Sequence, residues 1–171
     1  MTTGRPAAGE LFIERLFAHP IERVWDAWVT PEAVAIWLGP KGSTSHVIEG
    51  NIRPGGVLRM RMETEAWSML TLFRYREVTR PHRLIYEHCF CDADGNLIRP
   101  VFFEVWPLKL LTTVTFEEMA GEDGGRRTRV TLRWRPLDAT PEEERAFAEN
   151  LSSMQGGLAG SFDQLEAYLA A

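Results

Sequence analysis

Four histidines, two cysteines and a scatter of serines are the side chains with which this 171-residue chain could attempt nucleophilic or metal chemistry. His19, His46, His82 and His88 stand apart, and none has a partner at metal-ligand spacing. Ser43, Ser45 and Ser68 have no nucleophile motif around them. The run Arg53-Pro54-Gly55-Gly56 reads as a hairpin turn, not as a phosphate loop opening a helix. Cys89 and Cys91 sit two apart on one expected strand, too poorly directed to bond comfortably, and read as free thiols in a reducing cytoplasm. Paired groups for general acid–base work are missing, so catalysis is not the expected role, and no metal or cofactor is expected.

His88 is different. Alternation along Arg83–Cys91 puts Leu84, Tyr86, His88 and Phe90 on one face, and Arg83, Glu87 and both cysteines on the other. An inward His88 beside Tyr86 could orient a phenol, a carbonyl or a carboxylate. The competing reading is a core histidine bonded to a neighbour.

The expected inward set is rich in adaptable and flat side chains. It comprises Trp28, Trp37, Met60, Met62, Trp67, Met69, Phe73, Tyr75, Tyr86, His88, Phe90, Phe147, Met154 and Leu158. Any one of these alone reads as core filling. As a group they suit the wall of a pocket for an apolar or aromatic molecule, since methionine adapts its shape and flat rings accept flat ligands.

The element that must hold them together is C-terminal. Phe147, Leu151, Met154, Leu158, Phe162, Leu165 and Leu169 recur at steps of three or four, which predicts one long amphipathic helix from Thr140 to Ala171. Thr140, Pro141 and Glu143 supply a capping box with proline at the first helical position. Gly156, Gly157 and Gly160 interrupt that helix at a cost of about 1 kcal/mol each. On a helical wheel only Gly157 flanks the apolar stripe, where close packing would explain it.

Upstream, a strand is expected over Glu10–Phe17, then short helices over Ile21–Trp28 and from Thr30-Pro31 to Trp37. The period then changes to two. Strands are expected near 45–51, Val57–Glu63, Trp67–Thr79, Arg83–Cys91, Leu110–Glu118 and Thr128–Arg135, with turn residues between them, as in an antiparallel meander. Val101–Trp106 is the candidate for one further strand. Along Trp67–Thr79 either the Leu70/Leu72 face or the Trp67/Met69/Phe73/Tyr75 face could point inward, and the aromatic face is preferred. The opposite faces carry charge and are expected in water. Arg127, Arg129, Arg133 and Arg135 could join Arg59 and Arg61 there in a basic strip.

Composition bounds the rest. With 44% hydrophobic and 25% charged residues, one domain over residues 10–171 is expected, behind a flexible tail at 1–9. A net charge of -5 argues against nucleic acid as a partner, and no apolar run approaches a membrane span or a signal-peptide core.

The order of these features resembles a known family. The matching stretches are Arg15-x-Phe17-x-x-Pro20-x-x-x-Val24-Trp25-x-Ala27-Trp28-x-Thr30-Pro31-Glu32, Trp37-x-Gly39-Pro40, Arg53-Pro54-Gly55-Gly56, Pro81-x-Arg83-Leu84-Ile85-Tyr86, Thr113-Val114-Thr115-Phe116-Glu117, Thr128-Arg129-Val130-Thr131-Leu132, Gly157, and Phe162-Asp163-x-Leu165-x-x-Tyr168-Leu169. In these the chain resembles the START-like, Bet v allergen-like (SRPBCC) superfamily, and within it bacterial homologues of the activator of the ninety-kilodalton heat-shock protein ATPase. Leu158 stands where that family often carries tryptophan.

The resemblance implies an α+β helix-grip: a curved antiparallel sheet wrapped around a long C-terminal helix, with two short helices after the first strand. It also implies a cavity between sheet and helix that binds an apolar or aromatic small molecule, and with the free thiols the expected role is a cytoplasmic carrier or sensor. Its second implication is a co-chaperone that modulates a chaperone ATPase, and its third a cyclase or hydrolase. Full-length activators carry a separate chaperone-contacting domain ahead of this one, for which about nine residues before the first strand leave no expected room.

Overall fold

The computed structural model describes residues 9–171, so most of the tail expected at 1–9 lies outside the described residues. The chain runs β1 (Leu11–Phe17), α1 (Ile21–Val29), α2 (Pro31–Trp37), β2 (Thr44–Gly50), β3 (Val57–Glu63), β4 (Ser68–Thr79), β5 (Arg83–Cys91), β6 (Leu97–Ile98), β7 (Leu110–Ala120), β8 (Arg126–Pro136), α3 (Pro141–Glu149) and α4 (Leu151–Ala170). The strands form one curved antiparallel sheet in the order β1-β8-β7-β5-β4-β3-β2, with β6 pairing off β5. This is the helix-grip. The two helices between β1 and β2 connect the opposite edges of the sheet.

Period-two alternation decides the inner face. Leu58 and Met60 of β3, Leu84 of β5, Val114 of β7, and Val130 and Leu132 of β8 are buried against Leu158, Phe162, Leu165 and Leu169 of α4. On β4 the aromatic face points in, with Thr71, Phe73 and Tyr75 buried. Side chains on the rim lock the helix in place. The Arg15 guanidinium donates to Asp163 at 2.7 Å, and Arg23 donates to the Leu169 carbonyl at 2.9 Å, where the end of a helix leaves carbonyls free.

Four expectations change. The C-terminal helix is two helices, because Asn150 breaks it with φ −109° and ψ 12°. Its side-chain amide donates to the Ala146 carbonyl at 2.8 Å, and its backbone N–H to the Phe147 carbonyl at 3.1 Å. Asparagine here satisfies carbonyls that the next turn would have used. The capping box at Thr140 and Glu143 is present as expected.

Val101–Trp106 is not a strand but irregular chain with turns. Pro100 and Pro107 bracket it without N–H groups for a ladder, and the Phe103 N–H turns back to the Pro100 carbonyl at 3.1 Å. Phe103 and Trp106 stack at 4.1 Å and hold the segment against the sheet end.

The cysteines are not in water either. Cys89 and Cys91 point to the outer face, yet both are buried, with Leu72 and Leu70 opposite them on β4. Burial pushes the Cys89 thiol up to about 11 and raises that of Cys91, so neither is a thiolate near neutral pH.

The basic strip is also divided. β3 and β8 lie four strands apart, about 19 Å at ordinary strand spacing. Arg129 pairs with Glu14 and Glu117, and Arg133 with Glu10 while its guanidinium covers the Phe12 ring at 4.7 Å. Among the described residues, no helix is long and apolar enough to cross a membrane.

Candidate functional site

Where α4 crosses the β3-β4-β5 end of the sheet, the two layers do not close. They leave a cavity of about 240 Å³ with almost wholly apolar walls. Met62 of β3, Met69, Thr71 and Phe73 of β4, His88 and Phe90 of β5, Leu110 of β7 and Trp134 of β8 form its floor. Met154, Gly157, Leu158 and Ser161 of α4 form its roof. Leu38, Gly39 and Pro40 close one side, and Pro100, Phe102, Phe103 and Trp106 the other.

Local chemistry holds these walls. Gly39 ends α2 with φ +133°, and a Cβ there would come within 3.2 Å of both Met62 and Ser43. Its backbone is then claimed by α4. The Gly39 N–H donates to Ser161 Oγ at 3.2 Å, while the Ser161 hydroxyl and the Gln164 amide meet the Gly39 carbonyl at 3.2 and 2.9 Å. The Thr71 hydroxyl is spent on the Met60 carbonyl at 3.4 Å. Gly157 borders the cavity with no atom within 4 Å of where its Cβ would lie, so close packing does not explain this glycine.

His88 is the titratable group in the lining. Phe73, Trp134 and Phe90 surround its ring at centroid distances of 4.6, 5.2 and 5.6 Å. Burial among rings disfavours the charged form and lowers its pKa to about 4, so the imidazole is neutral at physiological pH. A neutral imidazole offers one donor and one acceptor.

The expected pocket residues divide by position. Met62, Met69, Phe73, His88, Phe90, Met154 and Leu158 line the cavity. The others lie elsewhere. Trp28 and Trp37 pack on each other at 4.5 Å under α1 and α2, with the Trp37 indole N–H donated to the Ala27 carbonyl at 2.9 Å. Tyr75 and Tyr86 face inward but pack together at 5.3 Å in solid core. Met60 is fully buried, Trp67 lies edge-on to Phe102 at 5.7 Å outside the lining, and Phe147 sits behind Trp106 at 5.7 Å. Alternation finds the face of the sheet, but it does not say which end of that face stays open.

The sequence reading missed the walls made by irregular chain, at 38–40 and 100–106, because no period marks them. Leu110 and Trp134 carried a usable signal, since they share inward parity with Val114 and Leu132.

Comparison with known proteins agrees with this architecture. A solved structure from Staphylococcus epidermidis matches with a TM-score of 0.76 at 22% identity, covering 99% of this chain and 94% of that one. One from Mycobacterium smegmatis matches with a TM-score of 0.72 at 23% identity, covering 94% and 90%. The AHSA1 protein of Silicibacter pomeroyi matches with a TM-score of 0.66 at 18% identity, covering 94% and 97%. At these identities the likeness concerns the fold. Among curated proteins no sequence matches the chain. The family model described as "Activator of Hsp90 ATPase homolog 1-like protein" matches residues 18–170, nearly the whole length. The chain belongs to the Activator of Hsp90 ATPase homolog 1-like family, within the START-like (SRPBCC) superfamily.

Proposed function

We propose that the protein binds a small apolar or aromatic molecule between sheet and helix, as a carrier or sensor. The observation that carries this reading is the carbon-walled cavity with one neutral imidazole, His88, in its lining. A small-molecule site needs an apolar enclosure and few polar anchors. Its volume of about 240 Å³ suits a ligand of one or two rings or a short chain. Met62, Met69 and Met154 let the walls follow its shape.

The test is titration calorimetry with 2-naphthol, a flat neutral molecule carrying one hydroxyl for His88. The wild type is expected to bind it. Met154→Glu, at a half-buried position on the helix, should keep the fold and weaken binding by at least ~10-fold, because the new carboxylate would lose water to the ligand. If a broad library of apolar compounds gives no heat with the wild type, the reading fails.

The alternative, a co-chaperone acting on a chaperone ATPase, is supported by the description of the matching family. A basic strip able to dock an acidic partner would need the arginines of β3 and β8 together, but they are divided between distant strands and partly neutralised. A reproducible change in the chaperone's ATPase rate on adding this protein would favour the alternative.

Ligand entry needs a moving part. The first half of α4 follows the Asn150 break, carries Gly156, Gly157 and Gly160, and is tied down mainly beyond them, at Ser161 and Asp163. Gly156 would meet nothing within 4 Å if given a Cβ, and Gly160 only the Lys41 side chain at 3.6 Å. Alanine therefore fits both sites, and the double substitution Gly156→Ala with Gly160→Ala should add about 1–2 kcal/mol of stability. If this stretch is the lid, stopped-flow ligand association and release should both slow several-fold. A stabilised variant with unchanged rates would remove the lid from the account.

A further inference from the structure

A second hollow, of about 290 Å³, adjoins the first and shares Met69, Phe90 and Pro100 with it. Its position follows from the register. The last pair between β4 and β5 is Leu70 with Cys91, after which β5 turns away into the Asp92–Asn96 hairpin. Ser68 and Met69 then keep β3 on one side only, and the chain at 98–101 faces them across a gap. The hollow therefore takes its lining from both sheet faces: Met69 and Phe90 from the inner one, Leu70 and Cys91 from the outer one.

Its chemistry differs from that of the cavity. Arg61 and Arg99 both line it. Among the described residues, Arg61 has no carboxylate within ion-pair distance. Arg99 reaches Glu143 only at 3.9 Å, and the other oxygen of that carboxylate accepts the Thr140 N–H at 2.9 Å. Arg59 adds a further positive charge close to Cys91. The neighbouring acid, Asp92, is committed to the backbone N–H groups of Asp94 and Asn96, each at 2.9 Å. Three arginines thus gather where the apolar cavity abuts the second hollow, against one adjacent acid, Asp92, and a Glu143 carboxylate reached only at 3.9 Å.

An anion inside the first cavity would find carbon walls and a neutral histidine, which is a costly place for a charge. An apolar molecule with one acidic end avoids that cost if the acid lies in the second hollow. The planar, fork-like guanidinium matches a carboxylate in shape as well as charge. We propose that the ligand is an apolar molecule ending in a carboxylate, read by Arg61 and Arg99 in the second hollow, while its body passes Met69 and Phe90 into the cavity. This inference rests on the cavity being a binding site.

The experiment compares octanoic acid with octanol by calorimetry at about pH 8, where the acid is fully ionised. Both have the same chain, so the difference reports the head group. In the wild type the acid should bind about tenfold more tightly than the alcohol, and high salt should shrink the gap. In the double variant Arg61→Gln with Arg99→Gln, both positions being exposed, the gap should close to within about twofold with the affinity for octanol unchanged. Equal binding of acid and alcohol by the wild type would overturn the acid site and leave the cavity reading standing. So would a double variant that weakens both probes alike. If neither probe binds the wild type, the acid site falls, and the cavity reading falls with it only if 2-naphthol and the broader apolar library also fail to bind.

Discussion

Phe162→Ala is expected to lower the unfolding free energy by about 3–5 kcal/mol, a large share of the ~5–15 kcal/mol that holds an ordinary domain folded. The ring is fully buried and joins three layers at once. It packs against Phe17 of β1 at 5.8 Å and edge-on against Trp28 of α1 at 6.1 Å, and the Arg15 guanidinium lies over it at 5.7 Å. Arg15 in turn bonds Asp163, the next residue on the helix. Truncation would remove the transfer energy of the ring, leave a void, and loosen the arginine that clamps α4 to β1. The rings of Phe17 and Trp28 are rigid, so little collapse into the void is expected from them. Urea unfolding of the two proteins at neutral pH measures the effect. A loss under ~1 kcal/mol would show that α4 is not anchored through this ring.

His88 predicts a pH effect of similar size. Its pKa falls from 6.5 to about 4 on folding, because Phe73, Phe90 and Trp134 surround the ring and desolvate it. Between those two values the unfolded chain holds a proton at His88 that the folded chain refuses. Protons then favour the unfolded state, so stability is fully present above about pH 6.5 and is lost as the pH falls toward 4. The loss from this one residue amounts to about 3 kcal/mol. Paired carboxylates such as Asp163 and Glu87 are also held below their ordinary range, and they add to acid lability further down. His88→Phe separates the two contributions. Denaturant titrations across the window should give a profile for the variant that is shallower by about 3 kcal/mol in total. Parallel profiles would mean that His88 is already solvated in the folded protein.

Much of the architecture could be read without coordinates, because it depends on local rules. Thr140, Pro141 and Glu143 start a helix by satisfying its first N–H groups, and they do so in the structure. Leu58, Met60 and Met62 alternate with Arg59 and Arg61, and a pleated strand then has no choice about which set is buried. Phe162, Leu165 and Leu169 fall on one stripe of α4 and are all buried. Failures of the same reading also have local causes. Asn150 falls inside the single helix expected from Thr140 to Ala171, yet its side-chain amide donates to the Ala146 carbonyl and its backbone N–H to the Phe147 carbonyl, and the helix ends there. The cysteines lie on the outward parity, but neighbouring side chains cover them.

The cavity belongs to a different level. The sequence by itself determined which side chains face the interior, since that follows from periods of two and 3.6 and from the preference of apolar groups to leave water. It could not determine where that interior stays unfilled. An inward tryptophan fills space at the α1–α2 end, where Trp28 and Trp37 meet, while inward methionines and His88 border open space at the other end. The difference depends on how far α4 stands off the sheet, where Asn150 turns the chain, and how the segment around Phe103 and Trp106 folds under it. Those are sums over contacts between residues distant in sequence. Only the tertiary structure decides whether an apolar face meets another surface or leaves a gap a ligand could fill.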